Sequence, residues 1–256
     1  MKKFMLDLVV KENKSLNNQY SLVILTSADL LPPMLPGQFA EVRVDNSPNT
    51  FLRRPISINF VDIEKNELWL LIQKVGEGTR KLCEASIGDS INVLLPLGNS
   101  FSFPANKEDK VLLVGGGVGI APLLFWGSML HANGYNCSFL LGGRSAENLL
   151  QLNDFAAFGT VYSTTEDGSY GEKGFVTQHS VLESQDFKAI YSCGPTPMMK
   201  AVAAYAGRKN IFCEVSLENT MACGFGACLC CVTDTTEGHL CVCTDGPVFN
   251  ISKLKW

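Results

Sequence analysis

Charge is scarce in this chain and nearly balanced: 18% of its 256 residues are charged, with 21 Lys and Arg against 25 Asp and Glu. A formal net charge of -4 leaves no basic surplus to neutralise a phosphate backbone or an anionic lipid surface, so neither nucleic acid nor membrane is expected as a partner. Histidine is scarcer still. His131, His179 and His239 stand in unrelated contexts, so the chain shows no acid-base set for transforming a substrate of its own. Repeats, low-complexity runs and long linkers are missing too. The opening MKKFMLDLVVKENK has only a short apolar patch, broken by Asp7, with no small-residue cleavage site behind it. No signal peptide is expected, and the expected location is the cytoplasm. Val111 to Gly143 lacks any Asp, Glu, Lys or Arg and is long enough to span a bilayer. Gly115, Gly116, Gly117, Gly119, Pro122 and Gly127 punctuate it, however, as a strand, tight loop and helix rather than one lipid-facing helix.

What is present is 46% hydrophobic residues, enough for one or two folding units with real cores. From Phe4 to about Phe103 the chain reads as six short β segments, LDLVV, YSLVILTS, FAEVRV, PISINFV, ELWLLIQKV and DSINVLLPL, separated by Pro, Gly, Asn and Asp. This pattern predicts a small antiparallel barrel or sandwich over 1–103. From Lys110 the pattern changes to VLLVGGG, a helical stretch from Ala121 to His131, CSFLLGG, a helix-like AENLLQLNDFAAF, TVYSTTED, and AIYSCGPTPMMKAVAAYA. Strands alternating with helices predict a parallel α/β sheet over 104–212. The remaining 213–256 is rich in Cys and Gly and too poor in periodic apolar residues for its own core, so a metal or cluster is expected to staple it.

Three groups of residues carry chemistry. Strand VLLV runs into Gly115-Gly116-Gly117-Val118-Gly119-Ile120-Ala121-Pro122, where glycines let a pyrophosphate approach the backbone at a helix start. Ile120 replaces the third glycine of the usual dinucleotide fingerprint, and a tight turn is the plainer alternative. Cys193-Gly194-Pro195 again follows an apolar strand and precedes a helix, which places it at the same carboxyl edge of a parallel sheet. In Arg53-Arg54-Pro55-Ile56-Ser57, guanidinium groups and a hydroxyl offer a cradle for a diphosphate, the alternative being an ordinary solvated pair. Ten cysteines in a reducing compartment ask for an explanation other than disulfides. Cys223-x4-Cys228-x2-Cys231 is the opening spacing of a plant-type [2Fe-2S] ligand set, with Cys243 the chosen fourth ligand and Cys241 in reserve. Cys228, Cys231, Cys241 and Cys243 would alternatively suit a closed structural zinc site.

In order along the chain, Pro36-Gly37-Gln38-Phe39, Arg54-Pro55-Ile56-Ser57, Gly76-Glu77-Gly78-Thr79, Gly117-Val118-Gly119-Ile120-Ala121-Pro122 and Cys193-Gly194-Pro195 resemble motifs of the ferredoxin-NADP reductase superfamily. The resemblance implies FAD held by Arg54, Pro55, Ile56 and Ser57, with Leu71, Ile72 and Gln73 along its rim and Gly78 and Thr79 at its pyrophosphate. Gly117, Gly119 and Cys193 would serve the nicotinamide nucleotide. Ile56 stands where an aromatic residue commonly stacks on the flavin. With Met221-Ala222-Cys223-Gly224-Phe225-Gly226-Ala227-Cys228 and Cys243-Thr244-Asp245-Gly246-Pro247-Val248-Phe249, the whole chain resembles the electron-transfer subunits of class B dihydroorotate dehydrogenases. That family implies an FAD-binding domain at 1–103, an NAD-binding domain at 104–212 and a [2Fe-2S] subdomain at 213–256. It also implies an FMN-containing dihydroorotate dehydrogenase catalytic partner, in a heterotetramer of two of each chain, serving pyrimidine biosynthesis. The sister resemblance is to the FAD and iron-sulfur subunit of NADH-dependent ferredoxin:NADP oxidoreductases or sulfide dehydrogenases. The nicotinamide moves two electrons as a hydride and an iron-sulfur cluster moves one, so a flavin between them is the chemical adaptor.

Overall fold

The structure, a computed structural model, describes residues 2–256. Along the first strand, Phe4, Leu6, Leu8 and Val10 alternate with the exposed Met5, Asp7 and Val9, a period of two that buries one face. Six strands, β1 (Phe4–Ser15), β2 (Tyr20–Thr26), β3 (Phe39–Val42), β4 (Arg54–Asp62), β5 (Glu67–Gln73) and β6 (Ser90–Leu97), close an antiparallel barrel in the order β1-β2-β5-β4-β3-β6, with β2 and β3 buried along nearly their whole length. Leu8, Val23, Leu25, Ile58, Leu70 and Val93 fill its interior. Between β5 and β6, helix α1 (Glu77–Leu82) starts at Gly76 and turns Leu82 into the barrel core.

The second half alternates strand and helix as the pattern predicts: β7 (Val111–Gly116), α2 (Ala121–Ala132), β8 (Cys137–Gly143), α3 (Leu152–Ala156), β9 (Thr160–Thr165), β10 (Glu172–Lys173), α4 (Val181–Ser184), β11 (Ala189–Cys193), α5 (Thr196–Lys209) and β12 (Phe212–Ser216). These strands lie parallel in the order β10-β9-β8-β7-β11-β12. The uncharged run from Val111 to Gly143 is thus β7, α2 and β8, and no helix among the described residues is long and apolar enough to cross a membrane. α2 is apolar on nearly every side because it is sandwiched. Leu123, Leu124 and Trp126 pack in the sheet's core, while Phe125 enters the barrel's.

The stretch AENLLQLNDFAAF is not one helix. A single turn at Ala146–Asn148 and the short α3 are separated by Gln151, whose φ is +54°. The break lets Gln151 exchange paired amide bonds of 3.1 Å with buried Asn59 of β4, a tertiary contact that a continuous helix would forgo. Further contacts join the halves: the Tyr191 hydroxyl donates to the Ser102 carbonyl at 2.6 Å, and the Ser102 hydroxyl to Glu214 at 2.6 Å.

After β12 the chain leaves the sheet for the cysteine-rich excursion, which contains the hairpin β13 (Val232–Thr235) and β14 (Gly238–Cys241). It returns as β15 (Val248–Asn250), antiparallel to β12, to complete a seven-stranded sheet. A small core of Phe39, Leu97, Met221, Cys231, Val242, Cys243 and Phe249 seats the excursion on the barrel.

Candidate functional site

Strands β7 and β11 are neighbours, so the two glycine-containing loops at their carboxyl ends meet. A Cβ on Gly119 would lie 2.4 Å from the Gly194 Cα and 2.7 Å from the Cys193 carbonyl carbon. Only glycine permits that approach. Above the junction opens a cleft of about 640 Å³ lined by Gly117, Gly119, Arg144, Glu166, Gly194 and Pro195 among others. Cys193 itself does not reach it. Its side chain is 1% exposed in the core between sheet and barrel, and burial pushes its thiol well above the ordinary range. The backbone of Gly194, not the thiol, faces the cleft.

A second cavity, about 310 Å³, lies between the barrel and the segment after β12. Pro55, Ile56, Ser57, Leu71, Gln73 and Thr79 line one side, with Ser216, Met221 and Pro247 on the other. Ile72 is turned away, 2% exposed in the barrel core, because strand alternation sends it opposite Leu71 and Gln73. Arg54 and Gly78 stand together: a Cβ on Gly78 would come within 3.3 Å of the Arg54 Cδ and 3.0 Å of the Thr50 Cγ2. Among the described residues the Arg54 guanidinium bonds the carbonyls of Arg53 and Leu52, at 3.0 and 3.1 Å, and no carboxylate. Arg53, by contrast, is spent on the carbonyls of Glu41 and Asn92, stitching β3 to β6. Gln73, Val118 and Glu218 line both cavities, which therefore adjoin. Glu218 carries no motif of its own. Open to the cleft but hemmed in elsewhere, it is raised above the usual carboxyl range by desolvation.

From Met221, against the 310 Å³ cavity, the chain passes directly into the cysteine loop. The Ala227 N–H donates to the Cys223 Sγ at 3.3 Å, the Cys230 N–H to the Cys228 Sγ at 3.5 Å, and the Cys243 N–H to the Cys231 Sγ at 3.3 Å. Burial opposes ionisation of Cys223, but the amides of Phe225, Cys228 and Ala227 and the Cys228 thiol outweigh it and bring its thiol down to about 6. Backbone N–H groups aimed at sulfur are what a thiolate-ligated cluster requires. Gly224 and Gly226, at φ +74° and +89°, make the loop possible, since a Cβ there would strike Glu41 at 2.6 Å and Thr244 at 2.9 Å. Both reserve and chosen fourth ligands lie in the field of Cys231. Cys243 is 1% exposed, its thiol pushed up to about 12 by burial and then by Cys231, while Cys241 sits nearer the surface. Among the described residues, no three of His, Cys, Asp and Glu converge on one ion-sized point.

Comparison with known proteins decides among the carriers that share this layout. Residues 218–255 match the model of the iron-sulfur cluster binding domain of dihydroorotate dehydrogenase B, and 113–204 that of the oxidoreductase NAD-binding domain. The dihydroorotate dehydrogenase B (NAD(+)) electron transfer subunit of Shouchella clausii is 40% identical over 252 residues, 96% of either chain. That of Bacillus velezensis is 38% identical over 251 residues, covering 96% of this chain and 97% of that one. The chain belongs to the family of dihydroorotate dehydrogenase B electron transfer subunits. Among solved structures, this subunit is similar to one from the NADH-dependent reduced ferredoxin-NADP oxidoreductase, with a TM-score of 0.88 and 28% identity over 97% of this chain and 90% of that one. Phthalate dioxygenase reductase, at 18% identity, TM-score 0.66 and coverage of 91% and 87%, shares the fold.

Proposed function

We propose that the subunit holds FAD in the 310 Å³ pocket, NAD(H) in the adjoining cleft and a [2Fe-2S] cluster on Cys223, Cys228, Cys231 and Cys243. Its task on this reading is to relay electrons between NAD and the FMN of a dihydroorotate dehydrogenase catalytic subunit, in a heterotetramer of two of each chain, within pyrimidine biosynthesis. The observation that carries the reading is contiguity: cleft and pocket share Gln73, Val118 and Glu218, and the pocket wall at Met221 continues into the cysteine loop. The residues fit the groups. Arg54, held by backbone carbonyls of its own turn, stands beside a glycine whose Cβ would fill the cradle, and backbone N–H groups point at the sulfurs of Cys223, Cys228 and Cys231. When bound, the flavin exchanges a hydride with the nicotinamide and single electrons with an iron-sulfur centre.

The chain's own side chains provide binding and exclusion. Arg54, Gly78 and Thr79 would hold the flavin's diphosphate, Pro55, Ile56, Ser57, Leu71 and Gln73 its ring. Gly117 and Gly119 would let the nucleotide diphosphate approach α2. On this division 1–103 serves FAD, 104–212 NAD and 213–256 the cluster. Absorption of the anaerobically purified chain, with flavin, iron, sulfide and zinc quantified on the same sample, tests the assignment. One flavin and about two irons per chain are expected, together with co-purification of the catalytic chain. Flavin with one zinc and no iron would overturn the relay.

A further inference from the structure

We infer that Phe51 is the shelf on which the adenine of the bound flavin stacks, and that it selects the dinucleotide FAD over the mononucleotide. The inference rests on the flavin reading of the 310 Å³ pocket. Phe51 is 91% exposed, more than any other large apolar side chain among the described residues. Its loop is nonetheless held firmly. The Ser47 hydroxyl and the Asn49 amide donate to the Glu77 carboxylate at 3.0 and 3.3 Å, and Ser47 and Thr50 hydroxyls lie 2.7 Å apart. Thr50 packs against Gly78, and Arg54 holds the Leu52 carbonyl. A loop anchored on both sides thus holds an aromatic ring in place with its face open to a stacking partner.

Order along the chain says what does. Ser57, Ile56 and Pro55 line the pocket, Arg54 stands at the diphosphate cradle with Gly78, and Phe51 follows three residues further out. Six residues reach at most about 20 Å, comparable with a flavin dinucleotide laid out from ring to adenine. Val75, on the pocket's lining, and Leu52, whose carbonyl Arg54 holds, are 69% and 46% exposed. A diphosphate needs no apolar neighbours. The adenosine beyond it does, and an aromatic ring accepts any base face by stacking.

The test is titration of the full chain, stripped of flavin, with FAD, with FMN, which lacks the adenosine, and with ADP as competitor. Phe51→Ala is expected to weaken FAD about tenfold, to weaken ADP competition similarly, and to leave FMN unchanged. Phe51→Trp should keep wild-type FAD affinity and show indole emission quenched by ADP, an effect the wild-type chain should lack. Unchanged FAD affinity in Phe51→Ala, or an equal loss for FAD and FMN, would overturn the inference. If the wild-type chain binds neither flavin, the pocket reading itself falls, an outcome separable from the others.

Discussion

Glu41 on β3 offers a prediction whose size can be worked out. It is 0% exposed, and among the described residues neither carboxylate oxygen has a hydrogen-bond partner. The neighbouring arginines do not pair with it, Arg53 being committed to backbone carbonyls and Arg54 to its own turn. Burial raises its carboxyl from about 4.5 to about 7, against the opposing pull of Arg54 and Arg53 and with reinforcement from Cys223. At 1.36 kcal/mol per pH unit the displacement corresponds to about 3 kcal/mol. Below the unfolded value the group is protonated in both states and costs nothing. Between the two values the native chain keeps a proton that the unfolded chain has released, so stability falls as pH rises, and above about 7 the full cost is present. Glu41→Gln removes the charge while keeping the shape. In urea denaturation of the iron-free chain, the variant should match the wild type near pH 4.5 and exceed it by about 2–3 kcal/mol at pH 8. A difference that does not change with pH, or a variant less stable than the wild type at pH 8, would refute the reasoning.

Other perturbations separate the sites. Gly119→Ala places a Cβ 2.4 Å from the Gly194 backbone; calorimetry should show a loss of about 1–3 kcal/mol, and NAD(H) affinity should drop at least tenfold with flavin content retained. Cys223→Ser should abolish iron-sulfur absorbance, whereas Cys241→Ser should retain it and Cys243→Ser should not, as read by iron and sulfide per chain. The Asn99 side chain donates to the carbonyls of Asp245 and Val248 at 2.9 Å and accepts from the Val248 N–H at 3.0 Å. Asn99→Ala should therefore cost about 2 kcal/mol and make iron easier to remove by chelators, measured as the rate of bleaching.

The barrel is legible in sequence because six short apolar segments recur between Pro, Gly, Asn and Asp, with one-face alternation at Phe4, Leu6, Leu8 and Val10 and near-continuous burial in β2 and β3. The β7-loop-α2 unit is legible because glycine at Gly117 answers a local backbone need, while Gly119 answers the approach of Gly194. What is not legible depends on who stands opposite. Arg53 and Arg54 are adjacent and chemically identical, yet one stitches strands and the other holds its own turn, a split created by β3 and β6. Cys193 heads a recognisable loop motif, but the register of β11 turns its thiol into the core. Glu218 has no local signature at all and joins the site only because β12 ends between the two cavities. The helical pattern of AENLLQLNDFAAF likewise yields to a tertiary bond, that of Gln151 to Asn59.

The cysteine excursion departs from β12 and comes home as β15, hydrogen-bonded to the very strand it left. In mechanical terms it is a closed handle on the nucleotide sheet, not a pendant on a tether. It has no free end to swing, and Asn99 bolts its base to the barrel. The gap between the cysteine loop and the cleft is consequently a dimension of the scaffold. Whatever approaches the exposed tip at Phe225 and Leu229 meets a loop fixed at both ends.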